Sequence, residues 1–147
     1  MNNGIDEVIE EKANDSTVDF EKAKATRRPF HYWTVDGKEY KLKLKTSMIE
    51  KVEDKYNTNI INLVSVDGIP RLSVMLTIVQ AALMPWHHGI SYSDVQKMYD
   101  KWTDSEGGNQ MLLYTRVVMP TLSVSGFFTD QQAQEMIKDM QELEELL

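Results

Sequence analysis

The stretch RLSVMLTIVQAALMP, residues 71–85, decides the fold. Leu72, Val74, Met75, Leu76, Ile78, Val79, Ala81, Ala82 and Leu83 would cover almost every side of a helix. A helix that is apolar all round has no face to offer water, so it belongs at the centre of a bundle. A membrane span would need about 20 apolar residues. Here Gln80 interrupts the run and Pro85, which has no N–H and clashes with the preceding turn, ends it.

Toward the N-terminus, residues 30–35 and 38–44 flank Asp36-Gly37. That dipeptide favours a type I′ hairpin, because both central residues need positive φ. A two-residue loop sets Trp33 opposite Tyr40 and His31 opposite Leu42. One face then carries His31, Trp33, Val35, Tyr40, Leu42 and Leu44; the other carries Lys41 and Lys43 beside Phe30 and Tyr32. A lone hairpin is marginal in water, so it must pack on helices or pair with another strand. Next, Ser47 and Glu50 have the spacing of a capping box, and Ile49, Val52 and Tyr56 share one stripe. Asn57-Thr58-Asn59 breaks that helix, and residues 60–64 form a short apolar helical piece.

Toward the C-terminus, Trp86-His87-His88-Gly89 reads as a connection. Ser93 and Gln96 have the spacing of a second capping box, ahead of Val95, Met98, Tyr99 and Trp102 at i, i+3, i+4, i+7. After the loop 106–109, residues 110–124 form an apolar helix in which Pro120 predicts a kink or a break. Thr129 and Gln132 cap a last helix, residues 129–147, with Ala133, Met136, Ile137, Met140, Leu143 and Leu147 on one stripe and an acidic opposite face. The fold class is therefore mainly α: a single bundle of about five to six helices, residues 29–147, with a small N-terminal β-hairpin over 30–44. Residues 1–28 are polar and rich in charge, which predicts a flexible acidic arm.

Composition narrows the function class. The 147 residues are 41% hydrophobic and 27% charged, as in a globular domain. Cysteine is absent, which removes disulfides, thiolate nucleophiles and cysteine-bound zinc, and suits a reducing cytoplasm. The N-terminus is acidic without an apolar run, unlike a signal peptide. A net charge of −7 opposes non-specific attraction to nucleic acid or anionic lipid.

No catalytic pattern emerges. Adjacent His87 and His88 point in different directions on a helix or strand, and the two-histidine zinc helix with its intervening Glu is missing; no metal or other cofactor is expected. There is no G-x-S-x-G nucleophile, no P-loop and no dinucleotide-binding glycine motif. The expectation is a protein that binds proteins and is not an enzyme. Lys38, Lys41, Lys43 and Lys45, interleaved with Phe30 and Tyr32, could hold a single-stranded nucleic acid, but lysine along an edge hairpin also blocks aggregation. The last helix either docks on its own bundle or lies in a partner's groove. Met136, Met140 and Leu143, with Lys41 and Lys43 on the hairpin edge, are the candidate protein-binding residues.

The segments taken together, YKLKLKT over 40–46, the helix 47–56, RLSVMLTIVQAA over 71–82, HHGI over 87–90 and PTLSVSGFF over 120–128, resemble the tail assembly chaperones of long-tailed bacteriophages, above all those of phages and prophages of Gram-positive bacteria. The resemblance covers about Tyr32 to Phe128 and is one of order and pattern. It implies a mostly helical protein of the host cytoplasm that binds the tape-measure protein, keeps it soluble, recruits tail-tube subunits and is left out of the finished particle. The family also admits self-association and a longer frameshifted product. The acidic arm before Pro29 is less typical of it. Two rival readings are a head–tail or tail component retained in the virion, and a small nucleic-acid-binding regulator working through the basic hairpin.

Overall fold

The computed structural model describes residues 30–65 and 67–146; the expected arm, 1–28, and Leu147 of the C-terminal stripe lie outside the described residues. The chain is mainly helical with one two-stranded antiparallel hairpin. Strands β1 (His31–Val35) and β2 (Lys38–Leu42) pair in the expected register, His31 with Leu42 and Trp33 with Tyr40. Asp36 and Gly37 hold φ of +51° and +79°, the left-handed conformations a type I′ turn requires. Trp33, Val35, Leu42 and Leu44 are buried while Tyr32, Thr34 and Lys41 are exposed, so the alternation read from sequence is realised.

Six helices follow. Helix α1 (Thr46–Tyr56) starts before the expected Ser47–Glu50 box: its N-cap is Lys45, without a side-chain cap. Tertiary bonds set that start, because the Lys43 N–H donates to the Ala82 carbonyl (3.2 Å) and the Leu44 N–H to Ser125 Oγ (2.9 Å). With the strand pinned to this point, the helix begins at once, and Ser47 falls inside its first turn. Asn57, at φ +52°, ends α1, and Asn59 caps α2 (Ile60–Val64) by accepting from the Asn62 N–H.

Helix α3 (Leu72–Leu83) is the centre of the bundle, as the run at 71–85 demands. Met75, Ile78, Ala82 and Leu83 are wholly inaccessible, and α3 packs against α1, β2, α4 and the helix 110–124. Each large apolar side chain buried this way contributes roughly 1.5–3 kcal/mol. Helix α4 (Tyr92–Glu106) is capped by Ser91 and Asp94 instead of Ser93 and Gln96. Both spacings satisfy the motif; the pair used places a carboxylate against the positive end of the helix. Val95, Met98 and Trp102 are buried as expected.

Helix α5 spans 110–124 in three consecutive parts: α-helical Gln110–Leu112, π-helical Leu113–Val118, then α-helical Met119–Val124. The disruption expected at Pro120 thus takes the form of a widened turn just before it, and the chain does not break. In a regular α-helix the Arg116 carbonyl would accept from residue 120, and proline has no N–H to give. The His31 imidazole supplies a donor instead, with Nε2 2.7 Å from that carbonyl. Helix α6 (Asp130–Glu145) begins at the expected Thr129–Gln132 capping box and packs on the π-helical part of α5.

Candidate partner-binding surfaces

Two surfaces stand out, and the five residues singled out from sequence divide between them. Met136, Met140 and Leu143 lie on α6, whereas Lys41 and Lys43 lie on β2.

No side chain of α6 is buried. Ala133, Met136, Met140 and Glu144 are half-buried along the seam where the helix meets the domain, and the two methionines pack against the core. Ile137 (47% exposed) and Leu143 (36%) flank that seam and face solvent, and Leu146 is 83% exposed. The stripe therefore divides into a docked centre and two free apolar margins. A polar latch holds the end of the seam. Glu144 Oε1 accepts from the Thr115 hydroxyl at 2.6 Å, and its carboxylate pairs with Arg116 through Nε (3.1 Å) and Nη2 (3.2 Å). Partial burial would raise the Glu144 pKa, but the hydrogen bonds from Thr115 and Arg116, with the guanidinium charge, outweigh it and hold the carboxyl below its ordinary 4.5. Sequence reasoning passed over this residue, although Glu144 is the carboxylate that falls four positions after Met140, on the apolar stripe itself.

The second surface is the outer edge of the hairpin. Lys41 is exposed and Lys43 half-buried, and both ammonium groups lie over the Phe30 ring, at 5.0 and 5.6 Å from its centroid. Phe30 meets Trp86 edge to face at 4.9 Å, and Lys45 covers the Trp86 ring at 5.1 Å. These rings are thus engaged by the chain's own cations, which leaves them less available for stacking on bases. The connection after α3 closes the strand edge. The Lys41 N–H donates to His87 Nε2 (3.1 Å), and Trp86 Nε1 donates to the Lys43 carbonyl (3.2 Å). An unpaired edge is a template for unwanted strand pairing, so this connection blunts it. As an acceptor, His87 Nε2 must be unprotonated. Burial, followed by the charges of Lys38 and Lys41, lowers the His87 pKa from its ordinary 6.5.

Beside this edge, the hairpin turn, the connection and α4 enclose an open cleft of about 620 Å³. Lys38, Lys97, Lys101, Tyr40, His87 and His88 are among its walls. Among the described residues, no three His, Asp or Glu side chains are gathered to hold a metal ion, and no helix is long and apolar enough to cross a membrane. The chain matches no protein-family model, no curated protein and no solved structure.

Proposed function

We propose that this chain is a tail assembly chaperone of a long-tailed phage, a binding protein and not an enzyme. In the cytoplasm of the bacterial host it binds the tape-measure protein, keeps it soluble and recruits tail-tube subunits. The observation that carries the binding role is the shallow seating of α6, whose methionine seam sits between the exposed margins Ile137 and Leu143. A long helical client presents apolar stripes of its own. Methionine's unbranched, polarizable side chain adapts to varied shapes, and the acidic outer face of α6 would keep the complex dispersed. The phage assignment rests on the resemblance in segment order across Tyr32 to Phe128.

The test is co-expression with the tape-measure and tail-tube proteins of the same genome, followed by affinity capture and size-exclusion chromatography. A tape-measure protein made soluble and captured with this chain supports the reading; elution of this chain alone while the tape-measure protein aggregates overturns it. Ile137→Asp with Leu143→Asp is the sharper variant, because Met136→Asp with Met140→Asp would also undock α6 from its own domain. Loss of capture with unchanged circular dichroism places the client on the margins of α6, and full capture removes α6 from the interface. Mass spectrometry of purified virions distinguishes a chaperone, scarce in the particle, from a retained tail component.

A further inference from the structure

The cleft between the hairpin and α4 concentrates positive charge in a protein of net charge −7. Lys38, Lys97 and Lys101 are exposed along it, and none of them forms an ion pair among the described residues. Two carboxylates also border the cleft, and both are turned to structural work. Asp36 Oδ1 accepts from the Ser105 hydroxyl (3.2 Å), and Asp94 Oδ2 accepts from the Ser91 N–H in the α4 capping box (2.9 Å). Both carboxylates keep their charge, and the Ser91 hydrogen bonds, followed by the Lys97 ammonium, hold the Asp94 carboxyl below its ordinary range. Three lysines against two carboxylates still leave the cleft net positive, beside apolar walls that include Val35, Tyr40 and Ile90.

The chain carries a matching segment. From Asp6 to Glu21 it holds seven Asp or Glu residues against Lys12 alone, interspersed with Val8, Ile9, Val18 and Phe20. We propose that residues 6–21 occupy the lysine-lined cleft of the same molecule, as a tethered acidic ligand. This inference is independent of the chaperone reading. Reach permits it. The eight residues 22–29 extend at most about 28 Å, and a strand of β1's five residues covers about 17 Å between Phe30 and the turn end of the hairpin where the cleft lies. Tethering raises the local concentration of the segment to the millimolar range, so a weak intrinsic affinity suffices. A free nucleic acid has no such advantage and must approach a chain that is acidic as a whole. Bound this way, the segment shields the lysines until salt or a stronger acidic ligand displaces it.

The absence of cysteine makes the experiment direct. A nitroxide attached to the full chain at Ser16→Cys reports distance to backbone amides by paramagnetic broadening. At low salt, amides around Lys38, Lys97 and Lys101 should broaden severalfold more than those of α6. The broadening should vanish near 0.5 M salt, where the Debye length is only about 4 Å. It should vanish equally in Lys97→Glu with Lys101→Glu, exposed positions whose exchange leaves the circular dichroism unchanged. Absent broadening at the cleft, or broadening that ignores both salt and the lysine variant, overturns the proposal. So does broadening that persists when nitroxide-labelled, isotope-free protein is mixed with isotope-labelled, nitroxide-free protein, since the segment would then come from a second copy. A short single-stranded oligonucleotide that takes the cleft in the unlabelled full chain, with the seven carboxylates intact, also overturns it.

Discussion

Replacing Glu144 with alanine should release α6 from the domain while leaving the bundle folded. The Thr115 hydroxyl is buried, at 5% exposure, and donates to a carboxylate, a bond worth about 2 kcal/mol. The Arg116 side chain is 62% exposed, so its pairing adds at most about 1 kcal/mol after solvent screening. No side chain of α6 is fully buried, so once this latch is gone only the half-buried methionine seam holds the helix. A loss of about 2 kcal/mol lowers hydrogen-exchange protection of the α6 amides about 30-fold. The amides of α3, at the centre of the core, should change far less. Glu144→Gln, which keeps an acceptor and loses the charge, should fall between wild type and alanine. The pH dependence has a fixed sign. The folded pKa of Glu144 lies below its unfolded value, so the latch contributes fully above about pH 4.5 and weakens as pH falls through the folded value. An equal loss of protection in α3 and α6 would refute the reasoning, because α6 would then belong to the cooperative core. Unchanged α6 protection would refute it from the other side, by showing that the methionine seam alone holds the helix.

Two further predictions concern the other surface and the core. His87 is held below its ordinary pKa, so the unfolded chain binds the extra proton first; stability is complete above about pH 6.5 and falls as pH drops through the folded value. His87→Gln keeps an acceptor for the Lys41 N–H without titrating, so its urea midpoint should fall less than wild type's just below pH 6.5; parallel curves would sink this account. Gly108→Ala should cost about 1–3 kcal/mol in chemical denaturation, because its Cβ would lie 2.3 Å from the buried Trp102 ring, which meets Trp33 edge to face. Gly107→Ala meets open space and is strained only by its φ of +70°, so of the two variants Gly108→Ala alone should alter the near-ultraviolet tryptophan signal.

Much of the architecture was legible in the sequence because it is local. Asp36-Gly37 dictates its own turn, and strict alternation on either side sets the register of β1 and β2. The apolar run at 71–85 can be stable only inside, and Thr129 with Gln132 marks the start of α6 three residues apart. Where two starts were locally equivalent, sequence could not choose. Ser47 and Ser93 both satisfy the capping pattern, yet α1 begins at Thr46 because Lys43 and Leu44 are bonded to Ala82 and Ser125.

The candidate surfaces needed the folded chain. The identity of Met136, Met140 and Leu143 as an apolar stripe follows from helical periodicity, but periodicity does not say how deeply the stripe sinks or that Ile137 is left on its margin. That depth is set by α5, whose π-helical turn presents Thr115 and Arg116 to Glu144. The lysines of β2 were visible as a basic run, while the closure of that strand by Trp86 and His87 and the convergence of Lys38 with Lys97 and Lys101 were not. The physical reason is separation along the chain. Turns, caps and periodic faces are decided by neighbours within a few residues, whereas His31 meets the Arg116 carbonyl across 85 positions. Sequence by itself determined the hairpin, the central helix and the amphipathic end. Packing alone decided which polar groups those elements would bring together.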